Sequence, residues 1–241
     1  MENSTQLGMN HTGIQMSPFD STSQEEAVKE FQPSVEGDPD DFDKVRREYA
    51  READRLGSVP VPGSMKGMAK TAAGKLSGTH PEVLIDKLGE RMAYERSGVR
   101  MYQAFIAKVE ATEEPISKEL LEDLKHIRSE EDEHFRLLWQ TIIELGADPT
   151  AVTPCAEVAA MQGMGIIQVL TEPRTTIGQG LNALLTVELA DHAAWELLIP
   201  LARACGQDSI ADAFAGPFQE EQEHLDMIRG WVERVTMAEA G

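Results

Sequence analysis

A chain of 241 residues with 41% hydrophobic content can bury a sizeable core in one or two domains, and its formal charge of −20 argues against a nucleic-acid partner, which requires clustered Lys and Arg. No segment is apolar for long enough to span a bilayer, and no apolar run resembling a signal peptide follows Met1, so a cytoplasmic protein with neither nucleic-acid nor membrane partners is expected. Cys155 and Cys205 stand far apart and form no CxxC pair, which leaves a thiolate-held zinc or iron centre without support.

Residues 1 to about 40 are rich in Ser, Thr, Asn, Gln, Pro and Gly, and their apolar residues are isolated from one another. Such a segment cannot bury enough surface to offset its ordering entropy, so a disordered arm is expected. Within it, Gln24 to Phe31 is helix-like. Asn3 and Asn10 match a glycosylation triplet that carries no meaning without a secretory signal. The run Asp38-Pro39-Asp40-Asp41-Phe42 signals a helix start, and a charged helix is expected near 42–56, ending at Gly57. Ser58 to Thr79 is rich in Gly, Pro, Ser and Lys, with local positive charge at Lys66, Lys70 and Lys75, and reads as a tether. The expected organisation is an arm and linker over 1–80, mostly disordered, followed by one all-α domain over 81–238.

Pro81 opens the first long helix, with Leu84, Leu88, Glu95, Tyr102 and Phe105 on one stripe and Arg91, Arg96 and Arg100 on its flanks. It reaches about Lys108 before Glu114-Pro115 breaks it. The second helix starts near Ile116, with Ser117 as candidate cap, and its inner stripe is Leu124, Ile127, Glu131, His134 and Leu138. A long connection follows, and its apolar stretch Ala156 to Leu170 reads as a short crossing helix. The third helix begins around Thr175 and aligns Leu181, Leu184, Glu188, Asp191, Trp195 and Leu198. The fourth begins at Ser209 and aligns Ile210, Phe214, Glu221, His224, Ile228 and Trp231, with a kink expected at Pro217.

The fourth helix repeats the second. Glu220-Glu221-Gln222-Glu223-His224-Leu225 matches Glu130-Glu131-Asp132-Glu133-His134-Phe135, and Glu and His three apart on a helix share one face. Each motif follows a helix with one inward acid, Glu95 or Glu188, and each acid is followed seven residues later by an aromatic, Tyr102 or Trp195. Two such hairpins offer the ligands of a four-helix bundle holding two metal ions. With no Lys or Arg read on the same stripes, the buried acids need cations. Two alternatives stay open: the acids protonate and hydrogen-bond to one another and to Tyr102, or the stripes are rotated toward solvent.

From Pro81 to about Glu233 the chain resembles the ferritin-like superfamily, its rubrerythrin-type branch in particular, through Glu95 with Tyr102, Glu131-x-x-His134, Glu188-x-x-Asp191 and Glu221-x-x-His224. The branch usually carries Glu where this chain has Asp191, and the rubredoxin module has no counterpart here. The resemblance implies an all-α, ferritin-like four-helix bundle with a long crossover between helices 2 and 3. It implies two Fe ions, or Mn, bridged by Glu131 and Glu221, capped by His134 and His224, and completed by Glu95, Glu188 and Asp191. Tyr102 is the implied catalytic side chain, orienting a carboxylate across the bundle. The implied activity is that of a di-metal oxidoreductase acting on peroxide or O2 with an external electron donor, in a chain that could pair as a homodimer. Iron oxidation and storage, and a metal-stabilised scaffold for a partner, are the alternatives.

Overall fold

Prolines and acids open the helices of this chain, and glycines close several of them. The computed structural model describes residues 18–31, 37–65, 67–69, 72, 80–112 and 118–241, and the regular structure among them is entirely α-helical. These residues fall into two units, one ending at Asp54 and the other beginning at Arg55.

The first unit holds helices α1 (Pro18–Glu30) and α2 (Pro39–Glu52), within the segment expected to be mostly disordered. Asp38 caps α2 by accepting from the Asp40 amide at 2.9 Å, Pro39 occupies the first turn, and Asp40 and Asp41 meet the positive end of the helix dipole. The cap, rather than the first apolar residue Phe42, sets the start, so this helix lies a few residues earlier than its sequence suggests and stops at Glu52. The expectations for residues 1–17, for Lys66, Lys70 and Lys75, and for Glu114, Pro115 and Ser117 lie outside the described residues.

The second unit is built from α3 (Pro81–Ala111), α4 (Lys118–Glu144), α5 (Pro154–Thr171), α6 (Ile177–Ala204), α7 (Asp208–Ala213) and α8 (Ala215–Ala240). α3 packs along α4 and α5 and against α6, α6 packs along α8, and α4 meets α8. Gly146 (φ 87°) ends α4, with its own amide bonded to the Ile143 carbonyl and the next amide, Ala147, to Ile142. Gly206 (φ 70°) ends α6 with the same pair of bonds to Arg203 and Ala202, an arrangement whose left-handed residue favours glycine. Ser64 donates to the Gly146 carbonyl at 2.8 Å, which ties the segment before α3 into this unit.

Thr153 caps α5, and Thr176 with Gln179 forms a reciprocal capping box on α6. Lys108 near the end of α3 donates to the Glu172 carbonyl at 2.7 Å and to the Thr175 hydroxyl, fixing the α5–α6 connection. The expected fourth helix is divided at Phe214 into α7 and α8. Pro217 cannot donate to the Ala213 carbonyl four residues back and its ring crowds it, which interrupts the helix at Phe214 while Phe214 itself keeps a right-handed helical conformation. Among the described residues no helix is long and apolar enough to cross a membrane, and both cysteines are free.

Two apolar clusters fill the interior of the second unit. One contains Tyr102, Phe105, Leu124, Ile127, Leu184 and Trp231; the other contains Leu84, Leu88, Leu138, Trp195, Leu198 and Phe214. In each long helix the acids and histidines fall in sequence between these clusters. Close approach matters at Gly180, where a Cβ would lie 2.2 Å from the buried Phe105 ring. Gly180→Ala is therefore expected to destabilise the protein by about 1–3 kcal/mol through overpacking, checked by denaturant unfolding; an unchanged midpoint would show that the ring yields freely.

Candidate metal centre

Glu95 on α3, Glu131 and His134 on α4, Glu188 and Asp191 on α6, and Glu221 and His224 on α8 are each no more than 1% exposed. Every residue of the four inner stripes read from the sequence is buried, so the reading with rotated stripes is set aside. Ligand atoms of Glu131, Glu188, Glu221 and His224 lie within 4.8 Å of one another. So do those of Glu95, His134 and Glu221, and those of Glu95, Glu131, Asp191 and Glu221. Glu221 belongs to all three groups and Glu131 to two of them. These buried groups can hold a metal ion.

Hydrogen bonds hold one atom of each of Glu95, Glu188, His134 and His224 and turn the other inward. Trp195 donates from Nε1 to Glu95 Oε1 at 2.8 Å, and the Tyr102 hydroxyl donates to Glu188 Oε1, so both aromatics reach from one hairpin to the acid of the other. Nε2 of His134 meets Glu220 at 2.7 Å, and Nε2 of His224 meets Glu130 at 2.7 Å, again across the hairpins. The opposite atoms, Glu95 Oε2, Glu188 Oε2 and Nδ1 of both histidines, turn inward without a hydrogen bond of good geometry, although His134 Nδ1 lies 2.9 Å from Glu221 Oε1 and His224 Nδ1 3.6 Å from Glu221 Oε2. For Glu131, Asp191 and Glu221 both carboxylate oxygens are without such a bond, Asp191 standing in ion-pair contact with Arg91. A buried oxygen or nitrogen without a partner is costly, and a cation is the partner that carboxylates and neutral imidazoles share.

Arg91 corrects the expectation from periodicity, which puts it on a flank and leaves the inner stripes without Lys or Arg. It is 2% exposed and lies inside the cluster. Its Nε is 3.0 Å from Glu95 Oε1, its Nη1 is 2.9 Å from Asp191 Oδ1, and its guanidinium lies over the Tyr94 ring. The stripe itself carries the signal: Leu84, Leu88, Arg91 and Glu95 follow one another at four- and three-residue spacing, so Arg91 belongs to the inner face rather than to its flank. Gly98, one turn after Glu95, is a second functional position that the sequence reading misses. A Cβ there would lie 2.1 Å from Glu131 Oε2, so the missing side chain makes the room in which that carboxylate sits. Glu130 and Glu220 have a signal too, since both copies of the motif read Glu-Glu-x-x-His.

The protein groups by themselves balance their charges by sharing protons. Burial raises Glu131 and Asp191 well above the usual carboxylate range, and burial with the charge of Glu221 pushes Glu188 up to about 8. Burial raises Glu221 as well, but its close contacts with the His134 and His224 imidazoles outweigh that and bring it to about 2. Both imidazoles rise to about 9: burial opposes protonation, but the bond to Glu221 and the neighbouring acids overcome it. Arg91 is raised above its usual value, with Asp191 and Glu95 overcoming the effect of burial.

The other histidines among the described residues stand apart from this cluster. His192 stacks on Phe218 with ring centroids 4.8 Å apart, His126 faces Glu130 at 3.4 Å, and His80 faces Glu82 at 3.2 Å. No family model matches this chain, and no curated protein or solved structure matches it significantly. The reading of the site rests on its own side chains.

Proposed function

We propose that residues 81–238 form a ferritin-like four-helix bundle that binds two iron or manganese ions and reacts with peroxide or O2 as an oxidoreductase. In this reading α3 and α4 are one hairpin, α6 with α7 and α8 the other, and α5 the crossover. The observation that carries it is the division of Glu95, Glu188, His134 and His224 into outward atoms held by Trp195, Tyr102, Glu220 and Glu130 and inward atoms that converge on Glu221 and one another without a hydrogen bond of good geometry. Charge supports it as well: five buried carboxylates against the single Arg91 leave four negative charges, those of two divalent cations when the imidazoles are neutral. Mixed carboxylate and imidazole donors suit iron or manganese.

Two such metals, when bound, supply one electron each to the two-electron cleavage of an O–O bond. The chain's part is positional. Glu131 and Glu221, neither of which makes a hydrogen bond of good geometry, would be shared between the two positions, while Glu95 with His134 and Glu188 with His224 would each serve one. The outer glutamates fix each imidazole with Nε2 outward and Nδ1 inward, and the apolar clusters around Leu138 and Ile127 keep bulk water away. Reduction of peroxide consumes two electrons and two protons per two waters formed, so turnover draws on an external electron donor. Glu220 and Glu130, part-exposed and bonded to buried imidazoles, stand where protons can enter from solvent.

The test is anaerobic loading with Fe(II) followed by stopped-flow mixing with H2O2 or O2. Oxidation faster than that of free Fe(II) in the same buffer is expected, and an equal rate with both oxidants would overturn the redox reading. Tyr102→Phe removes only the hydroxyl that holds Glu188. It is expected to slow oxidation about tenfold while metal content changes little, the pattern of an outer hydrogen bond to a ligand. Equal losses of rate and metal would assign Tyr102 to metal retention alone.

A further inference from the structure

The two hairpins are near copies around the site, and beyond the exchange of one aromatic for another they differ at two positions that meet each other. Glu95 answers to Glu188, Tyr102 to Trp195, and Glu130-Glu131-x-x-His134 to Glu220-Glu221-x-x-His224. Three residues after Glu188, however, stands Asp191, where the first hairpin has Gly98. Four residues before Glu95 stands Arg91, where the second has Leu184. These odd residues form an ion pair, Arg91 Nη1 to Asp191 Oδ1 at 2.9 Å, with Arg91 3% and Asp191 0% exposed at the side chain. Arg91 also lies 3.0 Å from Glu95 Oε1, the oxygen that Trp195 already holds. Glu188 carries no such cation; its Oε1 takes only the neutral Tyr102 hydroxyl.

Resting on the two-metal reading, we propose that the Arg91–Asp191 pair makes the two positions unequal. The position among Glu131, Glu188, Glu221 and His224 fills first and tightly; the one beside Glu95 and His134 fills second and exchanges more readily. Arg91 draws charge from Glu95 and sets a fixed positive charge beside the second cation in a water-poor interior, where like charges repel strongly. Asp191 then serves as the counter-ion of Arg91 rather than as a ligand: one guanidinium cancels one of the five carboxylates, and four glutamates with two histidines remain for the metals. Arg91 is a positioning residue on this account.

Cobalt(II) titration of the metal-free full chain, followed by calorimetry and by absorption, tests this. The native protein is expected to take two ions in separate steps, the second weaker by about tenfold or more, as a nearby fixed charge in a partly screened interior requires. In Arg91→Met/Asp191→Leu the buried pair is replaced by apolar groups of similar size, a change that buried pairs commonly tolerate, and the two steps should merge while two ions still bind. Arg91→Lys keeps the charge and should keep the steps apart. Asp191→Asn leaves Arg91 less compensated and should widen the gap.

Two equal steps in the native protein overturn the proposal and leave the two-metal reading intact. So does loss of one ion in the double variant, which would make Asp191 a ligand, or steps that stay apart there. If circular dichroism shows that the double variant has not folded, the opposite arms decide: a merged isotherm in Arg91→Lys, or a narrowed gap in Asp191→Asn, overturns the proposal. No cobalt bound by the native protein overturns the two-metal reading, and this inference with it.

Discussion

Glu131→Ala or Glu221→Ala is expected to remove both metal ions together, taking the loaded protein from about two ions per chain to near none, as expected of a shared ligand in a two-metal bundle. Glu221 belongs to every ligand group and Glu131 to two, and all four of their oxygens lack a hydrogen-bond partner. Each therefore stands where it can contact both ions. Glu95→Ala touches one position and should weaken mainly that ion. Folding supplies the control: Glu131 is buried among acids that raise its pKa, so its removal relieves repulsion and should not lower the melting temperature of the metal-free protein. Elemental analysis after reconstitution, read beside thermal melts of both forms, checks this. One ion kept at full occupancy in either alanine variant would sink the bridging assignment.

The metal-free protein should be most stable in mildly acidic solution and should lose stability as the pH climbs toward 9. His134 and His224 have an ordinary value of 6.5 and stand near 9 in the fold, so their contribution is complete below 6.5 and fades as pH rises through 9. Glu188, raised from 4.5 to about 8, acts in the same sense, because the folded chain keeps a proton that the unfolded chain has already released. Glu131, Asp191 and Glu95 follow it in direction. Glu221, held near 2, is the exception; its contribution is lost only as pH falls from 4.5 toward 2. The two imidazoles alone amount to a loss on the order of 5 kcal/mol across their window, and divalent metal reverses the trend because cations replace the protons. Melting curves of the metal-free and metal-loaded forms at pH 5.5 and 9 measure both slopes. A metal-free form that melts higher at 9 than at 5.5 would refute the proton-sharing account of this site.

Helical periodicity makes the inner face legible, because an acid that shares a stripe with leucines at three- and four-residue spacing is carried into the core along with them. Glu95, Glu131, His134, Glu188, Asp191, Glu221 and His224 are all found that way, and the structure brings all seven into one buried cluster. Arg91 fits the same spacing, three residues after Leu88 and four before Glu95, and is missed because a charged side chain is by default assigned to solvent. Gly98 escapes it because its role is the absence of volume, which no pattern of polar and apolar letters expresses. Phe214 divides the last helix for a reason that is visible, Pro217, but whether a proline bends a helix or ends it depends on what packs against the preceding turn. At α2 the cap Asp38 outranks the first apolar residue as a start signal.

Gly98 also limits which substitutions this arrangement can survive. With a Cβ at that position 2.1 Å from the Glu131 carboxylate, even alanine would have to move the bridging group, so the glycine is bound to the site as closely as any ligand. A distant chain built the same way would keep Arg, Glu, Gly and Tyr at offsets −4, 0, +3 and +7 on one helix, and Glu, Asp and Trp at 0, +3 and +7 on another. That gapped signature can outlast overall similarity, because each of its letters answers to a contact or a clearance at the site, whereas most of the surface between them is free to drift.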